Sequence, residues 1–318
     1  MIYSRIIGTG SYLPERVVTN AELEVLVDTT DEWIQSRTGI KERHIAREDE
    51  TSSDMCLQAA MRAIESADID ANSIELIVLA TSTPDLIYPS TACLVQSRLG
   101  IDNGCPAFDV QAACSGFVYA FSIADKFIKS GSVKRALVIG ADSNSKILDW
   151  TDRGTCVLFG DGAGAILIEG AEEPGVYATR LHANGAYSHL LQVPSGVSKP
   201  TGDPYIRMSG NEVFKFAVNA MDDIVDNTLK LCDLEKADID WLVPHQANQR
   251  IIKATAKKLN MEMDKVILTV GEHGNTSGGS IPLALDTGIR DGRIKRGHKL
   301  FLEAVGSGFT WGSVVLKY

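Results

Sequence analysis

The amino-acid sequence predicts an α/β fold in which two similar halves arose by internal duplication. Short, β-rich apolar segments alternate with stretches of helical periodicity, and strands that are apolar on both faces belong to sheets covered by helices on both sides. The first three of these segments also resemble the second three in order and kind. The 318 residues suffice for one large domain or for two of about 150 residues each.

Six apolar segments predict strands, at 75–82, 135–142, 163–170, 240–246, 299–305 and 311–318. The duplication pairs 74–78 with 239–243, 136–138 with 300–302, and 164–168 with 312–316. The third pair is closer together, as if the loop at about 142–160 were shorter in the second copy. The polar segment 171–176 contains Pro and Gly and is a plausible linker. We therefore predict an N-terminal half at 1–172 and a C-terminal half at 173–318.

Composition and charge exclude several classes of protein. The chain has 44% apolar and 23% charged residues, which fits a globular protein and not a disordered, collagenous or coiled-coil one. Its 31 basic and 41 acidic residues give a net charge of −10, which argues against nucleic acid as a partner. The sequence has no signal-peptide pattern and no apolar run of about 20 residues, so we expect a cytoplasmic protein without a membrane span. Its six cysteines show no metal-ligand spacing, so we expect no metal site.

A cysteine at the start of a predicted helix is the first candidate catalytic residue. The segment from about 113 to Gly131 is apolar on nearly every face and ends in Lys-Ser-Gly, which predicts a buried helix capped by Gly131. Cys114 falls in its first turn, where unpaired backbone N–H groups and the positive end of the helix dipole favour a thiolate nucleophile. The alternative is a cysteine that simply packs in the core.

Two polar segments and a glycine turn provide further candidates. His245 and Asn248 follow a predicted strand, at the carboxyl end where α/β sheets place their sites. The alternative is a hydrogen-bonded histidine and an asparagine that caps the helix at about 248–260. Asn275 lies in a glycine-rich loop, which alone predicts only a turn or a weakly specific phosphate loop. Glycines flank Ser307, and they would let backbone N–H groups approach a substrate oxygen.

Cys114, His245 and Asn275, in this order, form the constellation of decarboxylative Claisen chemistry. With them the sequence resembles the β-ketoacyl-acyl-carrier-protein synthase III (KAS III) family of the thiolase superfamily along essentially its whole length. The segments that carry the resemblance are 31–39, 113–116, 159–164, 210–215, 245–248, 274–278 and 308–312. Related enzymes with a His-His pair or a second catalytic cysteine are less similar, because Asn275 stands where the second His would be and no cysteine follows Cys232.

The resemblance implies a thiolase-like five-layer αβαβα fold of two duplicated halves, the first carrying the nucleophilic cysteine and the second the histidine and asparagine. It implies that Cys114 takes an acyl group from an acyl-coenzyme A. His245 and Asn275 would then hydrogen-bond the thioester oxygen of malonyl-acyl-carrier protein as it loses CO2, because two aimed donors stabilise the developing negative charge. The backbone N–H groups of Cys114 and Ser307 would form an oxyanion hole, although the family usually has Gly at the latter position. The coenzyme A thioester is a substrate, and no cofactor is implied.

The resemblance also implies where coenzyme A and the acyl chain bind. The adenine is expected to stack between Trp33 and Arg153, because an indole and a guanidinium suit an adenine and its phosphates. Further contacts with coenzyme A are expected from Thr29, Arg37, Phe214 and Asn248. Tyr88 and Phe159 are expected to line the acyl pocket, with Tyr88 reaching across a homodimer to the pocket of the other chain. The alternatives are a Trp33 that only anchors an amphipathic helix and a Tyr88 that only lies at a surface or interface.

A cationic helix face follows the candidate histidine. The cations considered are Arg250, Lys253, Lys257 and Lys258, of which three share one face, together with Lys215 as a neighbour. Such a face is usually only a solvated surface. On a chain of net charge −10, however, this cluster complements the strongly acidic acyl carrier proteins, so we predict that it docks one.

The expected reaction is the decarboxylative Claisen condensation of a short acyl-CoA, expected to be acetyl-CoA, with malonyl-acyl-carrier protein. It yields a 3-oxoacyl-acyl-carrier protein, CO2 and coenzyme A, and it initiates type II fatty acid synthesis. The alternatives are a related acyltransferase or ketosynthase of secondary metabolism and a non-catalytic module that binds acyl-CoA or a carrier protein. The complete set of Cys, His and Asn disfavours the non-catalytic module. A Rossmann oxidoreductase is weaker still, because its glycine fingerprint is absent.

Overall fold

The computed structural model describes residues 2–318, without the side chains of residues 222 and 223. The strands are β1 (Tyr3–Tyr12), β2 (Arg16–Thr19), β3 (Glu42–Ile45), β4 (Leu76–Ala80), β5 (Ala107–Val110), β6 (Arg135–Ser143), β7 (Asp161–Ala171), β8 (Val176–Ala183), β9 (Leu191–Gln192), β10 (Arg207–Met208), β11 (Trp241–Pro244), β12 (Lys299–Gly306) and β13 (Thr310–Lys317). The helices are α1 (Asn20–Glu24), α2 (Asp31–Thr38), α3 (Ser52–Ala67), α4 (Thr91–Arg98), α5 (Gly116–Lys129), α6 (Arg153–Cys156), α7 (Gly210–Leu231), α8 (Gln249–Lys258), α9 (Val270–His273) and α10 (Ser280–Arg290). Among residues 2–318, none of these helices combines the length and the apolar character that a membrane span requires.

Two mixed sheets form the framework. Within the described residues, the first sheet has five strands in the order β1-β7-β6-β4-β5 and the second has four in the order β11-β12-β13-β8. The pairs β4–β6 and β11–β12 are parallel, whereas β6–β7 and β12–β13 are antiparallel. The edge strands β1 and β8 pair in the same antiparallel manner with β7 and β13. The two sheets therefore repeat one topology, which confirms the duplicated fold that the sequence predicts.

Helices cover both faces of both sheets, so the layers alternate as α-β-α-β-α. Helices α5 and α10 lie between the sheets, α3 and α4 cover the outer face of the first sheet, and α7 and α8 cover the outer face of the second. Alternate residues of a strand serve different layers: Leu76 and Val78 face the central helices, whereas Ile77 and Leu79 face α3. This double burial explains why the strands are apolar throughout.

The strands of the two sheets come from separate parts of the chain. The first sheet is built from residues 3–171 and the second from residues 176–317. The six segments predicted as strands correspond to β4, β6, β7, β11, β12 and β13. The sequence did not indicate β1, β5 and β8: buried, half-exposed and exposed residues are mixed in β1 and β8, and all four residues of β5 are half-exposed. We propose that the seam between the halves lies near residue 172, in the turn between β7 and β8.

The helix predicted from about residue 113 begins as a tighter turn. Ala113–Ser115 forms a single turn of 3₁₀ helix, and α5 follows it. The predicted C-terminal glycine is in place: Gly131 has a φ of 76°, and its N–H donates a 2.9 Å hydrogen bond to the Ile128 carbonyl. Glycine adopts this left-handed conformation without steric cost.

The glycine-rich loop that carries Asn275 lies directly on the first sheet. A Cβ atom on Gly140 of β6 would lie only 2.2 Å from the Gly278 carbonyl oxygen, so a side chain there is excluded. Asp142, near the end of the same strand, accepts a 3.0 Å hydrogen bond from the Gly278 N–H. A loop of the C-terminal part of the chain is thereby held on a strand of the N-terminal part, in contact with the turn that carries Cys114.

Candidate active site

Residues from three separate elements meet in one cavity. Cys114, His245 and Asn275 all line a cavity of about 370 Å³. Cys114 follows β5, His245 follows β11, and Asn275 lies in the loop between α9 and α10. The structure therefore brings together the three residues that the sequence singled out for catalysis.

Cys114 lies on a tight turn between β5 and α5. The preceding residue, Ala113, has a left-handed φ of 47°, a strained conformation for a residue with a side chain and one that clusters at functional sites. Gly306, at the end of β12, packs against this turn. A Cβ atom on Gly306 would lie 2.9 Å from the Cys114 nitrogen and 2.8 Å from the Ser115 nitrogen. Only glycine therefore allows the two turns to approach this closely.

Burial dominates the ionisation of the Cys114 thiol. Desolvation raises its pKa to about 12, a hydrogen bond with Ser277 acts in the opposite direction, and the charge of Asp142 raises the pKa further. The sequence predicts instead that the helix start lowers this pKa. The difference arises because the α-helix begins only at Gly116 and the Cys114 side chain is buried. The thiol is consequently the resting form at neutral pH.

His245 is held as a neutral imidazole. Its Nδ1 lies 2.6 Å from Ser280 Oγ, which also accepts a 3.3 Å hydrogen bond from the Gln246 N–H. Because Ser280 Oγ accepts from the Gln246 N–H, its own hydroxyl proton is available to donate to His245 Nδ1. Nδ1 is then the acceptor, and the imidazole proton is on Nε2. Burial lowers the pKa of His245 to about 4. At neutral pH the ring is therefore an uncharged donor at Nε2.

The amide of Asn275 is oriented by its own loop. Its Oδ1 accepts a 2.9 Å hydrogen bond from the Ser277 N–H. Its backbone N–H donates to the Leu158 carbonyl at 2.9 Å, and its carbonyl accepts from the Gly160 N–H at 3.0 Å. Because the amide oxygen is used inside the loop, the NH2 group is the end of the side chain that remains to donate to a ligand.

Glu303 is a cavity residue that the sequence analysis missed. Its side chain is 3% exposed and lines the same cavity, and its backbone carbonyl accepts a 2.8 Å hydrogen bond from the His245 N–H. Burial raises the pKa of its carboxyl to about 8, against the opposing effect of a hydrogen bond with Thr255. The carboxyl is therefore mostly protonated at neutral pH. The only signal in the sequence is one acidic residue inside the apolar strand 299–305.

Trp33 contacts two guanidinium groups beside the cavity. The Cζ atoms of Arg37 and Arg153 each lie 4.8 Å from the centre of its indole ring. Arg153 also donates a 2.7 Å hydrogen bond to the Asp28 carbonyl. A ring inserted between Trp33 and Arg153 needs a separation of about 7 Å, twice the contact distance of about 3.5 Å. The adenine expected there therefore requires Arg153 to move away.

The other residues expected to contact coenzyme A are only partly brought together. Phe214 and Asn248 line the cavity. Asn248 also caps α8, since its side-chain oxygen accepts a 2.8 Å hydrogen bond from the Arg250 N–H, so the structural role considered for it is present. Thr29 does not line this cavity, and its buried hydroxyl has no hydrogen-bond partner among the residues that the structure describes.

Helix α8 carries a cationic face. Three of its cations are exposed at helical spacing: Arg250, Lys253 and Lys257. Arg250 also lines the cavity and lies with its Cζ 5.2 Å from the centre of the Phe214 ring. Lys258 instead points toward α7, where its ammonium lies 3.3 Å from an Asp226 carboxylate oxygen. Lys215 is exposed on α7.

A second cavity, of about 300 Å³, shares Cys114 with the first. Phe159 is 4% exposed and lines both cavities, and Ser307 lines the second. Tyr88 is 83% exposed and belongs to the lining of neither. Within one chain, the structure therefore brings Phe159 to the cysteine but leaves Tyr88 outside.

Two family models match the chain. The model described as "3-Oxoacyl-[acyl-carrier-protein (ACP)] synthase III" matches residues 108–185, which contain Cys114. The model described as "3-Oxoacyl-[acyl-carrier-protein (ACP)] synthase III C terminal" matches residues 229–318, which contain His245 and Asn275. The matched segments thus include all three residues of the shared cavity.

Individual proteins are similar along the whole chain. A curated protein named beta-ketoacyl-[acyl-carrier-protein] synthase III, from Thiobacillus denitrificans, is 59% identical over 100% of both chains. The crystal structure of 3-oxoacyl-[acyl-carrier-protein] synthase III from Aquifex aeolicus has a TM-score of 0.94 and 49% identity, with 99% of this chain and 100% of that chain covered. The priming beta-ketosynthase of the R1128 polyketide pathway has a TM-score of 0.95 and 35% identity, with 99% and 96% covered.

Glu303→Gln is expected to stabilise the protein at alkaline pH. Between pH 4.5, the ordinary pKa of the carboxyl, and about 8, this group is ionised in the unfolded chain but protonated in the folded protein. The folded state therefore binds more protons and loses stability as the pH rises through this window. Glutamine stays neutral and removes this loss. We expect a Tm higher by roughly 5 °C at about pH 8.5 and little changed at about pH 4.5, measured by calorimetry.

The control is Glu48→Gln, because Glu48 is an exposed carboxyl. Its Tm is expected to match the wild type at both pH values. A gain for Glu303→Gln of the same size at both values would mean that packing, and not the buried charge, causes the effect.

Proposed function

We propose a reaction for this chain, which belongs to the 3-oxoacyl-[acyl-carrier-protein] synthase III family. It condenses a short acyl group from an acyl-CoA, in particular acetyl-CoA, with malonyl-acyl-carrier protein. It is a condensing acyltransferase whose reaction initiates fatty acid synthesis. The observation that carries the assignment of residues is the single cavity shared by a cysteine thiol, a neutral histidine and an asparagine amide. The coenzyme A thioester is a substrate, and the proposed steps use no cofactor.

In the first half-reaction, the Cys114 sulfur attacks the thioester carbon of the acyl-CoA. A bond from carbon to the Cys114 sulfur forms, the bond from carbon to the coenzyme A sulfur breaks, and the thiol proton passes to the departing coenzyme A. The backbone N–H groups of Cys114 and Ser307 are proposed to bind the oxyanion. The close packing of Gly306 on the nucleophile turn supports this role, because it brings the two backbones together.

In the second half-reaction, His245 Nε2 and the Asn275 NH2 group donate to the thioester oxygen of the malonyl group. As the bond to the carboxylate breaks, CO2 leaves and its electron pair is delocalised onto this oxygen as an enolate. The two donors stabilise this state more than the ground state, because the charge develops where they point. The carbanion then attacks the acyl carbon on Cys114. The released thiolate takes up one proton.

Coenzyme A and the carrier protein are assigned to adjoining surfaces. We infer that coenzyme A reaches Cys114 along the larger cavity, which Trp33, Arg37, Phe214 and Asn248 line, and that Thr29 and Arg153 contact the part of coenzyme A outside it. The carrier protein is assigned to the cationic face of Arg250, Lys253 and Lys257, with Lys258 and Lys215 beside it. Arg250 supports this arrangement, because it is exposed on the helix and also lines the cavity through which the carrier's malonyl group must enter.

The smaller cavity is assigned to the acyl group, with Phe159 as one wall. Tyr88 is proposed to complete the pocket of a second chain in a homodimer. In support, Leu86, Ile87 and Tyr88 form an exposed apolar segment, with 50%, 73% and 83% of their surfaces accessible, which a partner would cover.

We also propose that the protein acts in the cytoplasm. The six cysteines all have free thiols, as expected in a reducing compartment.

A ketosynthase of secondary metabolism is the second candidate. The similarity in fold to the R1128 priming ketosynthase favours it. The 59% identity with a beta-ketoacyl-[acyl-carrier-protein] synthase III, against 35% with the polyketide enzyme, favours fatty acid synthesis.

Cys114→Ser is expected to abolish the covalent acyl adduct while leaving the fold intact, because the thiol of Cys114 is the proposed nucleophile. Intact mass after incubation with acetyl-, butyryl- and octanoyl-CoA measures the adduct, and circular dichroism checks the fold. The assignment is wrong if peptide mapping of the wild type places the acyl group on one of the other cysteines: Cys56, Cys93, Cys105, Cys156 or Cys232.

His245→Ala and Asn275→Ala are each expected to form acyl-enzyme at saturating acyl-CoA but to condense slowly. Each variant lacks one donor to the thioester oxygen, which costs about 10²-fold or more in the rate of decarboxylation. Single-turnover measurements starting from acyl-enzyme isolate this step. If His245→Ala cannot be acylated whereas Asn275→Ala can, His245 is the base that removes the proton from the buried thiol.

Arg250→Glu is expected to raise the KM for malonyl-acyl-carrier protein by about tenfold and largely to spare acylation by acetyl-CoA, because charge reversal repels an acidic partner. Lys134→Glu is the matched control, since Lys134 is exposed beside the start of β6, far from the carboxyl ends of the strands. An equal loss in both half-reactions, or the same loss in the control, contradicts the docking assignment.

A further inference from the structure

The side chain of Ser307 makes a contact that its proposed oxyanion role does not use. Its hydroxyl donates a short hydrogen bond to the Leu191 carbonyl, across more than a hundred residues of sequence. A glycine at this position would have no side chain to make this bond. The contact joins the turn between β12 and β13 to strand β9.

The turn that carries Ser307 is itself fixed to the turn that carries the nucleophile. Thr310 Oγ1 lies 3.0 Å from the Ser307 carbonyl oxygen and 3.1 Å from the Ala112 carbonyl oxygen, and it accepts a 2.7 Å hydrogen bond from Ser115 Oγ. Gly306 packs on the same residues. Ser307 therefore projects its hydroxyl from a rigid base beside Cys114, and Leu191 is the group that this hydroxyl positions.

Leu191 lies where the two cavities adjoin. Together with Cys114 and Phe159, it lines both the larger cavity and the smaller one. Among the residues that the structure describes, its strand β9 pairs only with the equally short β10, through Leu191 with Met208 and Gln192 with Arg207. Such a short ribbon depends on contacts outside itself for its position. The bond from Ser307 is such a contact, and it acts at the residue that walls the acyl cavity.

We propose that Ser307 is a positioning residue for acyl-chain selection: its hydroxyl holds Leu191 against the acyl cavity, keeps that cavity short, and so favours acetyl over longer acyl groups. This inference rests on the proposed function, because it concerns the acyl group that Cys114 takes. Without the hydroxyl, the Leu191 carbonyl loses its donor, and the wall is free to recede from the cavity. One neutral hydrogen bond of ordinary net strength corresponds to about a fivefold change in a rate ratio.

The test compares the rates at which Ser307→Ala and the wild type are acylated by acetyl-CoA and by octanoyl-CoA. Intact-mass measurements over time follow the acyl-enzyme. We expect the ratio of kcat/KM for octanoyl-CoA to that for acetyl-CoA to rise about fivefold, mainly through a lower KM for octanoyl-CoA. Ser307→Thr keeps the hydroxyl and is expected to restore the wild-type ratio. Ser130→Ala is the matched control, because Ser130 also donates its hydroxyl to a backbone carbonyl, that of Phe127, but lines neither cavity.

Leu191→Ala tests the same wall without altering Ser307. It is expected to raise the octanoyl ratio by itself, and adding Ser307→Ala to it should raise the ratio no further, because the hydroxyl acts only through Leu191. An unchanged ratio in Ser307→Ala, an equal shift in Ser307→Thr or Ser130→Ala, or additive effects in the double variant would each overturn the inference. A wild type that forms no adduct with any acyl-CoA would overturn the proposed function itself, and the inference with it.

Discussion

The close contact between two backbone turns, one from each sheet, is the constraint on which the site depends. Gly306 from the second sheet packs so close to the backbone nitrogens of Cys114 and Ser115 that a Cβ atom on it would lie within 2.9 Å of both, and no side chain fits there. The central layer of α5 and α10, packed between both sheets, holds the two turns at this distance. The contact places Cys114 between the two sheets, in the cavity that His245 and Asn275 also line.

The same burial that packs the site sets its charge state. Desolvation raises the pKa of Cys114 to about 12, lowers that of His245 to about 4 and raises that of Glu303 to about 8. All three groups are therefore predominantly uncharged at neutral pH. Two of the donors in this cavity, His245 Nε2 and the Asn275 amide, are oriented beforehand by Ser280 and by the Asn275 loop. In a site of low polarity, such donors would act strongly on the negative charge that develops in the proposed decarboxylation.

The exposed residues at and beside the cavity, by contrast, include several cations. The chain as a whole carries −10, yet Arg37 and Arg153 flank Trp33 and Arg250 lies over Phe214. Cations are thus concentrated where phosphates and an acidic partner are proposed to bind. These cations would attract an acidic partner that the negative charge of the whole chain repels, and this favours one orientation of its approach. In the proposed mechanism, the exposed cations bind the charged parts of the substrates, and the buried neutral groups carry out the chemistry.

The sequence by itself determined the alternation of strands and helices, the duplication and the three candidate catalytic residues. It could do so because a strand buried on both faces, such as β4 or β12, must be apolar throughout, and because Cys114 and His245 stand beside recognisable element ends. Only the tertiary structure decided the thiol's high pKa, the buried carboxyl of Glu303 and the bond from Ser307 to Leu191. Desolvation and hydrogen bonding depend on which distant segments surround a group, and no local pattern of residues records those neighbours.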